Sequence, residues 1–540
     1  MGVLIQITFS FLFTLLLYAF YKVIGILRLQ GTSPLRVLPG PQSQYPLLGN
    51  IVELLTSLSN VTALIEKWFK QHGSTYKFHG LLNTYGVATK DNRALAHILN
   101  RSDIYQKPNH MRQAVSRILG EGLLFAEGEG HRRQRKIMNP AFGPAQIKAL
   151  TGVFTEKANL LCDRITECIS PENIKGTRVD VLSWLSKATL DVIGQAGFNY
   201  RFNTLDPSLP PNELNVLLTE LSTSGQEFSI LRTLQEMFHV LRFIPSEREK
   251  QITRAKKALD EVGQELLATA KVAVAADETT GSGLEGRDLL TLLIKANQQQ
   301  GAAQKLSDDD VLGQVPTFLI AGHETTSTAT AWTLFALAQH HAVQSRLREE
   351  CLSLSTDTPT MDQLDKLNYL ECVIREAMRL YPPVPCTMRR AMLDDVIPLE
   401  EPFMDAEGVE HHSFGIPKGT DVIIMISPSN SAPDFWGPDA ASFRPERWEA
   451  DSGFPIPEGV PGVWGNQMSF LGGTRGCIGF RFAVVEMKAL LYALIRAFEF
   501  DLAVPAAHIV PKVSLVANPT VSSEPAVGQQ MPLLVKPFHA

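Results

Sequence analysis

The sequence predicts a mostly α fold of the α+β class: one large helical domain with small β-sheets, preceded by one transmembrane helix. Three observations lead there. Apolar residues recur at three- and four-residue spacing along much of the chain, as in amphipathic helices. Strand-like stretches are few and short. The first 21 residues carry no charge.

That uncharged start is broken only by Gln6, Thr8, Ser10 and Thr14 before Tyr21. At 1.5 Å per residue, about 20 residues cross the ~30 Å hydrocarbon core of a bilayer. A cleaved signal peptide would need a basic start, a shorter apolar stretch and a small-x-small cleavage site, and none is evident. Lys22, Arg28 and Arg36 follow the span, so the positive-inside rule puts everything after residue 30 in the cytosol. Residues 1–30 are therefore expected to be an anchor, and Asn60 and Asn100 silent glycosylation sequons. Pro34, Pro39, Pro41 and Pro46 stiffen the next stretch; residues 31–50 read as a proline-rich hinge before one large domain, 51–540.

Within that domain, strands are expected at 76–79, at 422–426 after a turn at 417–420, and at 533–535. Leu364, Leu367, Leu370, Ile374, Ala377 and Leu380 share one helical face, and Pro382 with Pro383 ends that helix. Residues 276–287, rich in Gly, Ser and charge, read as an exposed loop. Lys and Arg number 50 against 56 Asp and Glu, a net charge of −6, without the basic footprint of a nucleic-acid binder. The six cysteines, Cys162, Cys168, Cys351, Cys372, Cys386 and Cys477, are too sparse for a disulfide scaffold and lack zinc-site spacing.

Around the last of them the chain reads Phe470-Leu471-Gly472-Gly473-Thr474-Arg475-Gly476-Cys477-Ile478-Gly479, ahead of an apolar helical run over 480–498. A cysteine between a glycine-rich loop and a helix start is offered backbone N–H groups and the positive end of the helix dipole, both of which favour the thiolate. Glycines let the backbone approach a flat ligand, Arg475 supplies a cation for a carboxylate, and Phe470 can screen the sulfur from water. These are the needs of a heme iron held by an axial thiolate. A lone cysteine in a turn would more simply be structural.

The whole stretch resembles the heme-binding pattern Phe-x-x-Gly-x-Arg-x-Cys-x-Gly of the cytochromes P-450, the heme-thiolate monooxygenases, with Phe470, Gly473, Arg475, Cys477 and Gly479 at its five fixed places. The resemblance implies a P-450-like helical domain binding heme b, with Cys477 as the axial iron ligand. It extends from the anchor to the chain end. Its second element is Ala321-Gly322-His323-Glu324-Thr325-Thr326, in a long apolar stretch that opens with the capping box Ser307-Asp308-Asp309-Asp310. In the family, Gly322 and Thr325 would open a groove over the heme for dioxygen and water, and an acid beside an alcohol can relay protons. Glu324 and Thr325 are thus catalytic by resemblance; their plainer readings are a solvated carboxylate and a hydroxyl bonded to its own helix.

Glu376 and Arg379 stand at i,i+3 spacing on one helix face. The segment Phe443-Arg444-Pro445-Glu446-Arg447-Trp448 resembles the one whose Arg447 place completes a buried charge network with them, and such networks hold structure. His131 and Arg135, at i,i+4 spacing, and Arg389, with Arg390 as rival, are the candidates for contact with the heme carboxylates. His131 departs from the family, which commonly has Trp there, and Asn430-Ser431 departs from a frequent His-Arg pair. An apolar substrate pocket over the distal heme face is expected from Phe318, Ala321 and Thr325 on the long helix and from 384–388, Val384 and Met388 among them.

The implied function is a membrane-anchored monooxygenase that inserts one oxygen atom of dioxygen into a lipophilic small molecule. The resemblance is nearest to fungal microsomal members, which suggests a natural product of secondary metabolism such as a terpenoid. No Gly-x-Gly-x-x-Gly follows a strand, so electrons are expected from an NADPH-cytochrome reductase, for which Arg132, Arg133, Arg135 and Lys136 form a basic patch. The implied place is the endoplasmic reticulum membrane, single-pass, with a cytosolic catalytic domain. Two rivals stand beside this reading. A heme-thiolate isomerase or dehydratase works without a reductase but tends to lack the pair present here as Glu324-Thr325; in a non-catalytic heme-binding sensor or scaffold, that pair would be idle.

Overall fold

The computed structural model describes the chain apart from much of 1–29, residue 44, 57–60, 170–174, most of 210–246, 281–287, 302–303, 514 and 539–540. Among the described residues the helices of nine residues or more are α1 (Val61–His72), α2 (Asn92–Asn100), α3 (Asn109–Leu119), α4 (Gly128–Met138), α5 (Pro144–Cys168), α6 (Val181–Phe198), α7 (Glu247–Thr280), α8 (Leu289–Gln298), α9 (Gln314–Gln339), α10 (His341–Leu352), α11 (Asn368–Leu380) and α12 (Phe480–Ala497). The strands are β1 (Thr75–His79), β2 (Tyr85–Thr89), β3 (Tyr105–Gln106), β4 (Thr177–Asp180), β5 (Cys386–Ala391), β6 (Asp395–Met404), β7 (Glu410–Ile416), β8 (Asp421–Met425), β9 (Gly462–Trp464), β10 (Gln467–Gly472), β11 (Phe498–Leu502), β12 (Ile509–Val513), β13 (Ala517–Val521) and β14 (Pro532–Pro537). One five-stranded sheet runs β1-β2-β8-β5-β3, antiparallel except between β2 and β8. A three-stranded sheet runs β11-β14-β4, and the other strands pair as hairpins. This is the mostly α architecture expected.

Helix α9 crosses the core. Its middle, Thr325 to Thr333, is rich in Thr and Ser, which are poor helix formers because their hydroxyls compete for the backbone. Here those hydroxyls bond back one turn: Thr325 to the Ala321 carbonyl, Ser327 to His323, Thr330 to Thr326 and Thr333 to Ala329, each at 2.8 Å. The polar groups are thereby satisfied within the helix, which can be buried on nearly every side. Trp332 donates to the Ala517 carbonyl at 2.9 Å and stacks on Tyr381, tying α9 to β13 and to the end of α11. Helix α12 is rich in Ala, Leu, Met, Lys and Arg, all good helix formers, and is buried from Val484 to Ile495.

The expected strands fall within β1, β8 and β14, although Ile426 opens a short helix, Ile426–Asn430, instead of extending β8. The helix read over 364–380 begins at Asn368: Leu364 ends a separate turn, Met361–Leu364, closed by a reciprocal cap between Thr360 and Gln363. The capping box at Ser307 forms as read, but it caps a short helix, Asp308–Leu312, with Gly313 before α9. Of the loop expected at 276–287, the first five residues continue α7 and the rest lie outside the described residues.

The transmembrane helix expected at 1–30 is not supported: among the described residues no helix is long and apolar enough to cross a membrane, and more than half of that segment lies outside them. Its described residues are helical, and Phe9, Phe13, Leu17, Tyr18 and Tyr21 are each more than half exposed. The stretch read as a hinge is docked over part of its length. Leu35 and Leu38 are buried in a core cluster with Ile397, Phe414 and Ile416, and the Lys77 N–H donates to the Pro39 carbonyl at 2.9 Å.

Candidate functional site

Strand β10 leads through a single 3-10 turn, Gly473–Arg475, to Cys477 and then to α12. The strand is held from below by Asn430, which is buried: its side chain accepts from the Met468 N–H and donates to the Ser469 hydroxyl, both at 2.8 Å. Gly473 has φ +63°, and a Cβ there would lie 2.4 Å from the Leu99 carbonyl oxygen of α2, so glycine alone closes this turn. The Cys477 N–H donates to the Phe470 carbonyl at 2.8 Å, folding the loop back on itself. Phe470 packs edge-on against Trp464 at 5.4 Å.

Cys477 lies deep in the protein, yet its side chain is exposed, so the thiol faces an internal cleft. Burial pushes this thiol up; the Gly479 N–H, at the N-cap of α12, and the Arg135 guanidinium pull it back. Burial outweighs the helix N-terminus and the cation expected from the sequence to favour the thiolate. Arg135 reaches the loop by donating to the Gly476 carbonyl at 2.5 Å.

Arg135 and His131 both leave α4 on its inner side, as their spacing predicts. His131 is buried, and burial with the charges of Arg475, Lys107, Arg135 and Arg389 holds it down to about 3, a neutral imidazole. Arg475 donates to the Ala126 carbonyl at 2.7 Å and forms an ion pair with Glu127. Lys107 Nζ is 2.9 Å from Glu127 Oε1. Arg389 is buried beside this group, pushed down to about 10 by burial, whereas Arg390 is turned away into two 2.7 Å bonds to Asp421. Lys107 and Glu127 were not singled out from sequence. They sit at no diagnostic spacing; only the acid just ahead of α4, favourable at a helix N-terminus, offered a signal.

In α9, Ala321, Gly322, Glu324 and Thr325 are half-buried, whereas the flanking turns are buried. Gly322 also has a packing reason, since a Cβ there would meet the Ile193 side chain at 2.9 Å and hold α6 off. Phe318 sits in the core edge-on to Phe142, ring centres 5.5 Å apart. Val384 and Met388 are half-buried, and Cys386 between them is deep yet exposed, as Cys477 is.

The three charged residues expected to meet do so. Arg379 grips Glu376 with two bonds, of 2.9 and 2.8 Å, and Arg447 Nε lies 3.7 Å from the same carboxylate; all three side chains are fully buried. Glu376 also accepts from the Trp448 indole at 2.9 Å and the Arg444 N–H at 3.0 Å. Arg379 donates to the Asn430 carbonyl at 2.9 Å, which links the network to the residue that pins β10.

Comparison with known proteins gives the same direction. The Cytochrome P450 family model matches residues 39–520. The chain is 49% identical over 530 residues to cytochrome P450 monooxygenase 205 of Postia placenta, covering 96% of each chain. It is 48% identical over 539 residues to cytochrome P450 monooxygenase 128 of the same fungus, covering 97% of this chain and 96% of that one. It is also similar to ganoderic acid synthetase of Ganoderma lucidum, at 33% identity over 536 residues, 93% and 94% of the two chains.

Proposed function

The chain belongs to the cytochrome P450 family, and from that membership we propose that it oxygenates a lipophilic natural product at a site built on Cys477, with Glu324 and Thr325 handling protons. It is a heme-thiolate monooxygenase that takes heme b as cofactor and uses dioxygen, a lipophilic substrate and a reductase. A relative named for making ganoderic acid supports a fungal secondary metabolite, a terpenoid for example, as the substrate.

The residues fit the cofactor. A thiol faces an internal cleft at depth, and beside it a buried group of cations outnumbers its carboxylates. Cys477 would hold the iron, with Phe470, Gly473 and Gly479 shaping the loop around it. Arg389 and Arg475 would take the carboxylates, with neutral His131 packed beside them and Arg135 beside the sulfur. When bound, heme b supplies the centre at which dioxygen is reduced and one of its oxygen atoms is transferred. Gly479 N–H and Arg135 offset the negative charge of the sulfur, and Phe470 keeps water from it. Glu324 and Thr325, adjacent on the half-buried turn of α9, hold and pass protons toward the cleft, and Ala321, Phe318, Val384 and Met388 supply its apolar substrate wall.

The reading places residues 51–540, with the docked stretch ahead of them, as the catalytic domain in the cytosol. Residues 1–30 form a single-pass anchor in the endoplasmic reticulum membrane, and the uncharged start of the sequence supports it. The outward residues of α4, Arg132 and Lys136, suit docking of an acidic NADPH-cytochrome reductase.

The position of Cys477, exposed at depth where a helix begins, carries this proposal. Cys477→Ser, reduced and exposed to carbon monoxide, should lose the red-shifted Soret band of a thiolate-ligated ferrous carbonyl; survival of that band would overturn the assignment.

A further inference from the structure

The cations beside Cys477 do not balance as they stand. Glu127, 7% exposed, receives Lys107 through both its Nζ, at 2.9 Å, and its backbone N–H, at 3.2 Å, and it also pairs with Arg475. Arg389, 3% exposed, meets neither oxygen of Glu127 and forms no ion pair among the described residues; its guanidinium donates to the Met388 carbonyl at 2.8 Å and the Thr387 hydroxyl at 3.1 Å. The neighbouring guanidiniums keep their charge but are bonded away from Glu127. Arg135 is held at the Gly476 carbonyl beside the sulfur, Arg112 lies over the Phe125 ring with its Nε on the Phe125 carbonyl, and His131 is neutral. Three buried cations, Lys107, Arg389 and Arg475, thus face one buried carboxylate. Within this set two positive charges are left over, and a buried charge without a partner is costly.

Heme b carries two propionate carboxylates. We infer that Lys107 and Glu127 belong to the cofactor's carboxylate site, Lys107 as its third cation and Glu127 as a resident anion, so that two of its three positive charges are left for the two propionates. Glu127 holds Arg475 and Lys107 in position before the cofactor arrives, and Lys107 keeps Glu127 from repelling the propionates. The pair then sets the potential of the iron from a distance: an added negative charge favours the ferric state and an added positive charge the ferrous one. Both are positioning residues. The inference rests on the reading that the Cys477 loop holds heme.

The test uses four holoproteins: wild type, Lys107→Gln, Glu127→Gln and the double variant. Each is measured for midpoint potential by spectroelectrochemical titration and for heme loss to apomyoglobin. Glu127→Gln should raise the potential, shifting the ferrous-to-ferric ratio at fixed applied potential several-fold, where tenfold corresponds to about 59 mV for one electron. Lys107→Gln should shift it as far the other way and release heme about tenfold faster. The double variant should return to within about twofold of wild type, because it restores the balance; two residues with merely structural roles would add their damage instead. Lys107→Arg and Glu127→Asp should behave as wild type, and if Lys107→Gln takes up no heme while Lys107→Arg does, the requirement for charge stands. Single variants that move the potential in the same direction, or not at all with heme bound, overturn the inference. A wild-type protein without a thiolate-type carbonyl spectrum would instead overturn the reading it rests on.

Discussion

At the residue scale, the proton-handling role proposed for Thr325 is what separates two activities of the same fold. Its hydroxyl donates to the Ala321 carbonyl at 2.8 Å, so passing a proton into the cleft means giving up a bond worth about 0.5–1.5 kcal/mol net. That is roughly one tenfold step in rate, small enough for a relay to bear. Thr325→Ala should therefore keep heme binding and the carbon monoxide spectrum while product formed per NADPH consumed falls and hydrogen peroxide rises. Wild-type coupling in this variant would return Thr325 to a plain helix residue and favour an isomerase or dehydratase that needs no relay. Residues of this kind were legible because their signal is local: the Cys477 loop spans ten positions and the Gly322–Thr325 turn four. Glu127 and Arg475 are 348 residues apart, and no local pattern announces that they meet. The choice between Arg389 and Arg390 was open for the same reason, since it depends on Asp421, which reaches the pair only through the β5–β8 ladder.

At the element scale, one buried charge network ties a helix to the segments around it. Glu376 joins α11 to the turn Pro445–Trp448 through Arg447, Trp448 and Arg444, and Arg379 continues to Asn430 and so to β10. Removing one partner of such a buried set costs about 3–5 kcal/mol, a large part of the roughly 5–15 kcal/mol that holds a domain. Glu376→Ala should yield little folded holoprotein. A fully heme-loaded Glu376→Ala that turns over poorly would move the residue from structure to catalysis. Helix α12 holds the opposite case: Glu486 is 1% exposed and neither carboxylate oxygen finds a well-placed partner. Burial holds it well above the ordinary carboxylate range, and the Thr326 hydroxyl pulls it back only in part. As pH rises past about 4.5 the unfolded chain gives up this proton while the folded one keeps it, so the folded state binds more protons and stability falls. The gain in Tm of Glu486→Gln over wild type should therefore grow from pH 5 to pH 7; a gap that stays flat would mean the carboxylate is ionised and paired. The periodicity of α11 was readable from Leu370 onward, but its first turn was not, because Leu364 and Leu367 are buried in phase with the helix without belonging to it.

At the scale of the whole molecule, the question is where the folded body begins. Four prolines argued for a stiff connector up to residue 50. What prolines do not tell is what lies alongside: Leu35 and Leu38 are covered by Ile397, Phe414 and Ile416, more than 350 residues later, so the body starts near Pro34. Upstream, Phe9, Phe13, Leu17, Tyr18 and Tyr21 are more than half exposed, and apolar surface in water costs about 25 cal/mol per Å², a cost that a bilayer removes. Two truncations separate the roles. Deleting residues 1–30 should release the protein from membranes wholly or in part, with the carbon monoxide spectrum unchanged and Tm nearly so, because the Leu35–Leu38 contact is kept and the Gln30 bond to the Leu82 carbonyl is lost. Deleting residues 1–40 should in addition lower Tm, since removing Leu35 and Leu38 forfeits their burial, about 1.5–3 kcal/mol for each side chain, and uncovers Ile397, Phe414 and Ile416. Loss of the heme spectrum on the shorter deletion would show that residues 1–30 belong to the fold, and membrane retention undiminished by it would place the anchor elsewhere on the body.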